Sequence, residues 1–95
     1  MILQKELENS IRTFLLESCT SNVASRSSLT TIYNHVNARV NQIERFQFIH
    51  QLSLINILVA VINDLFLFAK FKKVANKTFV YGVKFSPPSA EVETP

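Results

Sequence analysis

The apolar residues of this chain change their spacing near Asp64, and that change limits the possible fold more than any other feature. Before it they recur mostly every three or four residues, the period of a helix face. After it they fall into short aromatic and β-branched runs, the habit of strands. With 95 residues there is room for about one domain, so helices and strands must share a core. The composition, 47% apolar and 18% charged, favours collapse over disorder. The fold class expected from this pattern is α+β.

Residues 2–18 read as a first helix, because Leu3, Leu7, Ile11, Phe14 and Leu15 share a face while Lys5, Glu6, Glu8 and Arg12 fall mostly opposite. Residues 19–28 are rich in Ser, Thr and Asn and read as a connection, with room for a short edge strand at Val23 and Ala24. Ser27 or Ser28 suits the N-cap of a second helix over 29–42. Leu29, Ile32, Tyr33, Val36, Val40 and Ile43 form its apolar stripe; Thr30, Thr31, Asn34, Asn37 and Asn41 form an uncharged polar face. Residues 44–50 read as a connector that carries Phe46 and Phe48 into the core. A third helix over 51–64 is apolar around most of its circumference, with only Ser53, Asn56, Ala60, Asn63 and Asp64 on a less hydrophobic strip. Residues 65–71 and 78–85 then read as the two strands of a hairpin joined by the basic segment 72–77. Gly82, the one glycine of the chain, marks a bulge or a close backbone approach in the second strand. The domain is thus expected over 1–85. A loose tail follows over 86–95, where all three prolines lie.

Composition also narrows the chemistry. A single glycine rules out the glycine-rich loops that cradle phosphates or dinucleotides. A single cysteine, Cys19, rules out an internal disulfide and a cysteine-rich zinc site. His35 and His50 have no ligand partners at metal spacing, and no nucleophile–base pair or carboxylate pair stands out. The chain is therefore expected to bind rather than catalyse, without a cofactor. Ten Lys and Arg against seven Asp and Glu leave a net charge of +3, which suits contact with phosphate or an acidic protein surface.

The order of helix, connector, helix, connector, helix and basic hairpin resembles the winged-helix family. The likeness is carried by LTTIYNHVNARV and by SLINILVAVINDLFLFAKFKKVANKTFVYGV, about 60 residues in all. It implies a helix-turn-helix formed by the second and third helices, with 51–64 in the place of a recognition helix and 72–77 as the wing. It also implies binding to double-stranded DNA in transcription or replication control. The wing lysines Lys70, Lys72, Lys73 and Lys77 would meet phosphate, and Ser53, Asn56 and Asn63 would face base edges. Lys84, Arg26, Arg39 and Arg45 would flank the same surface.

The sequence departs from the family's pattern in its third helix, which has neither Lys nor Arg and ends in an acid. That departure leaves open a domain that binds another protein, or a second copy of itself as a homodimer, through its apolar third helix. Hairpin lysines equally serve as a solvated turn that blocks edge pairing. The aromatic residues suit base stacking in principle and core packing more often. The apolar run 52–69 resembles a membrane span flanked by cations. Asp64 within it would cost roughly 2.5–3.5 kcal/mol near a bilayer centre, which makes a membrane unlikely as the partner. The acidic, amphipathic start has no secretory pattern, so a cytoplasmic or nuclear address is expected.

Overall fold

The computed structural model of this chain describes residues 2–47 and 49–86. Phe48, and the expected tail beyond Ser86, lie outside the described residues. The elements run α1 (Ile2–Ser18), β1 (Cys19–Ser28), α2 (Leu29–Asn41), a single 3-10 turn (Glu44–Phe46), α3 (Gln51–Leu65), β2 (Lys70–Val74) and β3 (Lys77–Phe85). The three strands form one antiparallel sheet in the order β1-β3-β2. The fold is α+β.

One core joins the helices to one face of the sheet. It collects Leu7, Ile11, Phe14 and Leu15 from α1, and Ile32, Val36 and Val40 from α2. Leu54, Leu58, Val61 and Ile62 come from α3, and Val80 and Val83 from β3. Phe46 is fully buried among them, so the 3-10 turn carries one of the two expected aromatic anchors into the core. Ion pairs lace the helices together at their rims, among them Arg12 of α1 with Asp64 of α3, and Arg39 of α2 with Glu17 of α1 at 3.3 Å.

The Ser-rich stretch 19–28 is a strand, not a connection. It pairs with β3 in two pieces. Cys19, Thr20 and Ser21 lie opposite Phe85, Lys84 and Val83, and Arg26, Ser27 and Ser28 lie opposite Tyr81, Val80 and Phe79. The break between Ser21 and Arg26 falls on Val23 and Ala24, where a short edge strand had room to form; both belong to β1, an edge strand of the sheet, but lie in its bulge, outside the paired register. There Asn22 Oδ1 accepts a bond from the Ala24 N–H at 3.0 Å, and Val23 is 87% exposed. Ser28 does precede α2 as its N-cap residue, but it forms no side-chain cap. The Ser27 hydroxyl bonds to β3 instead, donating to Val83 O at 2.9 Å and accepting from the Phe85 N–H at 3.1 Å. Pairing with an aromatic strand outweighs the local preference of these serines.

The hairpin is tighter and later than its hydrophobic run implies. Leu65 ends α3, Phe66 leaves the helix with extended φ and ψ, and β2 starts only at Lys70. The segment 72–77 is not a loop: Lys72, Lys73 and Val74 belong to β2, and Lys77 opens β3. Only Ala75 and Asn76 form the turn, with φ of +49° and +71°, the pair of positive angles that a two-residue turn of type I′ requires. At the other end, α3 is capped by His50, whose Nδ1 accepts the Leu52 N–H at 3.1 Å.

Gly82 sets the phase of β3. Strict alternation from the buried Val80 would turn Val83 outward, yet both are fully buried. Gly82 has φ +91°, and β1 is bulged where it passes this residue, so the strand changes face here. A Cβ at this position would stand 3.1 Å from the Phe68 carbonyl oxygen. Gly82→Ala is therefore expected to destabilise the fold by about 1–3 kcal/mol, read as a lower urea midpoint with an unchanged slope.

Candidate functional site

The three strands contain Arg26, Lys70, Lys72, Lys73, Lys77 and Lys84 and no Asp or Glu. The described acids, Glu6, Glu8, Glu17, Glu44 and Asp64, all lie in the helical elements. The fold thus sorts a modest net charge into a cationic sheet and a helical layer that is near balance.

Cross-strand register arranges these cations around aromatic rings. Tyr81 sits in the central strand between Arg26 on one side and Lys70 on the other; Phe79 sits between Ser28 and Lys72. Alternation places these residues on the sheet face opposite Val80, away from the helices. The Arg26 guanidinium lies 4.3 Å above the Phe79 ring and 5.9 Å from the Tyr81 ring centre, and donates to the Tyr81 hydroxyl at 3.1 Å. Lys72 Nζ reaches 5.8 Å from the Tyr81 ring centre. Lys70, Phe71, Lys72 and Tyr81 line an open groove of about 300 Å³. Lys73, paired with Thr78, alternates to the other side of the hairpin from Lys70 and Lys72; Lys77, paired with Val74, lies beside the turn.

The residues expected from the sequence therefore divide. Lys70, Lys72, Lys73 and Lys77 are exposed along one hairpin. Arg26 joins them through its place opposite Tyr81, a neighbour that spacing alone does not reveal because β1 lies more than fifty residues away in sequence. Arg39 does not join them: it pairs with Glu17 and lies 4.5 Å above the Phe14 ring. Arg45 lies in the 3-10 turn. Ser53, Asn56 and Asn63 are exposed on α3, spaced to share a face with Ala60. Asp64 is matched by Arg12, so it weighs less against an approaching anion than its bare charge implies.

Two other side chains are held by burial. Cys19 has its thiol pushed up to about 11 by desolvation, against a weak lowering by the Ser18 hydroxyl. It stays protonated near neutrality and is a core thiol rather than a nucleophile. His35 packs edge-on against Phe85 with ring centres 5.3 Å apart, and its buried Nε2 has no hydrogen-bond partner among the described residues. Among the described residues no group of three or more His, Cys, Asp or Glu is arranged to hold a metal ion. No helix among the described residues is long and apolar enough to cross a membrane. The run 52–69 is cut where α3 ends at Leu65.

Against known protein families, curated proteins and solved structures, this chain gives no significant match.

Burial holds the pKa of His35 below its ordinary value of 6.5; Arg39 acts in the same direction and Glu17 opposes them. In the window from 6.5 down to that lowered value the unfolded chain binds the proton and the folded one resists it, so stability falls as pH drops. His35→Phe is expected to remove this component. Urea midpoints of the two proteins should keep a constant difference above pH 6.5 and shift in favour of the variant below it.

Proposed function

We propose that this chain is a winged-helix domain that binds duplex DNA through its basic hairpin, as a small regulator of transcription or replication. The observation that carries this reading is the segregation of charge: six cations on three adjoining strands with no carboxylate among them. Such a surface attracts phosphate even though the whole chain is only mildly basic. The element order α1-β1-α2-α3-β2-β3, with β3 central, supports the family likeness. Lys72, Lys73 and Lys77, exposed on the strands next to the hairpin turn, contact the backbone; Ser53, Asn56 and Asn63 give α3 a neutral face for limited base contact.

The test is affinity for a random-sequence duplex over a range of salt. Wild-type binding should weaken steeply as salt rises. Replacing Lys72, Lys73 and Lys77 together by Ala should lower the affinity and flatten the log–log slope by up to about 0.9 for each phosphate that the variant no longer neutralises. Equal affinity and slope in the two proteins would defeat the wing contact.

A second reading is favoured by one observation. Leu67 and Phe68, adjacent in the segment after α3, are 82% and 76% exposed. In this reading the domain binds protein, a second copy of the chain being the simplest partner, through an apolar surface at the end of α3. Sedimentation equilibrium of the wild type and of Phe68→Asp decides it. A dimer that the substitution dissociates supports this reading, and a monomer at every concentration rules out the homodimer.

A further inference from the structure

We propose that the outer face of the sheet is a binding site for unpaired nucleotides, with Tyr81 as the stacking platform and Lys70, Lys72 and Arg26 as phosphate and rim contacts. This rests on the nucleic-acid reading above and narrows it to a partner that presents single-stranded bases at this face. The hairpin end remains the place of duplex contact.

Three features of the face point to this ligand chemistry. First, an aromatic residue stands on the central strand of an open sheet with a cation opposite it on each neighbouring strand, Arg26 on β1 and Lys70 on β2. A base has a flat π-face and its backbone a negative charge, so stacking and charge contact are satisfied together only when ring and cations adjoin in this way. Second, the two aromatic rings differ in availability. Phe79 is already covered by the Arg26 guanidinium at 4.3 Å. At Tyr81 the cations stand farther from the ring centre, Lys72 at 5.8 Å and Arg26 at 5.9 Å, with Arg26 held at the hydroxyl end by its 3.1 Å bond. Third, Tyr81 borders the groove formed with Lys70, Phe71 and Lys72, whose volume of about 300 Å³ lies at the lower end of small-ligand sites. A paired base in a duplex has its faces occupied by its neighbours, so this platform selects for unpaired ones.

The experiment uses the full chain with a labelled oligothymidylate, an abasic oligomer of equal length and a duplex of equal length. Oligothymidylate is expected to bind more tightly than the abasic oligomer. Tyr81→Ala should weaken it about five- to hundredfold while leaving duplex affinity within about twofold. Tyr81→Phe, which keeps the ring, should stay close to the wild type. The chain has two tyrosines and no tryptophan, so tyrosine emission gives a readout that needs no truncated side chain. Quenching by oligothymidylate should be lost in Tyr81→Phe and kept in Tyr33→Phe. Equal binding of oligothymidylate and abasic oligomer, or quenching that survives in Tyr81→Phe, overturns the platform while leaving the duplex reading standing. Absence of binding to all three nucleic acids overturns both.

Discussion

Everything on the surface of this domain depends on the way β3 changes face at Gly82. Upstream, Val80 points into the core and Phe79 and Tyr81 point away from it. Downstream, Val83 is again buried, one position out of step. An uninterrupted strand would have to expose Val83 or bury Tyr81, and either choice damages the core or the outer face. The positive φ of Gly82 and the bulge in β1 beside it absorb the mismatch. The same residue lets the chain entering β2 pass close by, since the Phe68 carbonyl lies where a side chain would begin. One residue thus aligns the core, the cross-strand cations and the approach to the hairpin.

The helices were legible because their burial is local. The apolar stripe of α1 names Leu7, Ile11, Phe14 and Leu15, and the same residues are buried; the stripe of α2 does likewise with Ile32, Val36 and Val40. The wide apolar circumference of α3 is also explained without a membrane. Leu54, Leu58, Val61 and Ile62 enter the core, Ile55, Ile57 and Val59 are half-buried, and Leu52 is exposed. What was not legible depended on partners distant in the chain. The strand over 19–28 has no strand-like composition; its pairing is supplied by β3, and Ser27 spends its hydroxyl on that ladder rather than on a helix cap. The start of β2 falls later than the apolar pattern implies because the residues after Asp64 serve three environments: Leu65 in the helix, Phe66 in the core, Leu67 and Phe68 in solvent. Hydrophobicity alone does not separate these.

The candidate site shows the same division. The lysines stand out by their clustering in sequence, but their arrangement does not. A loop over 72–77 would have scattered them at the end of a flexible wing. Strand geometry instead fixes Lys70 opposite Tyr81 and Lys72 opposite Phe79, while Lys73 turns to the other side. Arg26 completes the set from β1. Its charge was visible in the sequence; its place was not, because the register that brings it to Tyr81 exists only once the Ser-rich stretch is recognised as a strand. Conversely Arg39, equally cationic, is taken up by Glu17 and Phe14 and adds nothing to the sheet.

On the proposed reading this charge layout also limits the kind of recognition available. Base-specific contact in a duplex groove relies on Arg, Lys, Gln or Asn reaching base edges, and the exposed side of α3 offers only the short Asn56 and Asn63 beside Ser53 and Ala60. Phosphate contacts by hairpin lysines hold a duplex without reading its sequence. On that reading further discrimination would come from the sheet face, where stacking on Tyr81 would distinguish unpaired from paired bases rather than one sequence from another. On the proposed reading such a domain would select nucleic acid by its structure. On that reading the lack of Lys and Arg in α3, which counts against a reader of operator sequences, leaves the attraction of phosphate to the hairpin and the sheet.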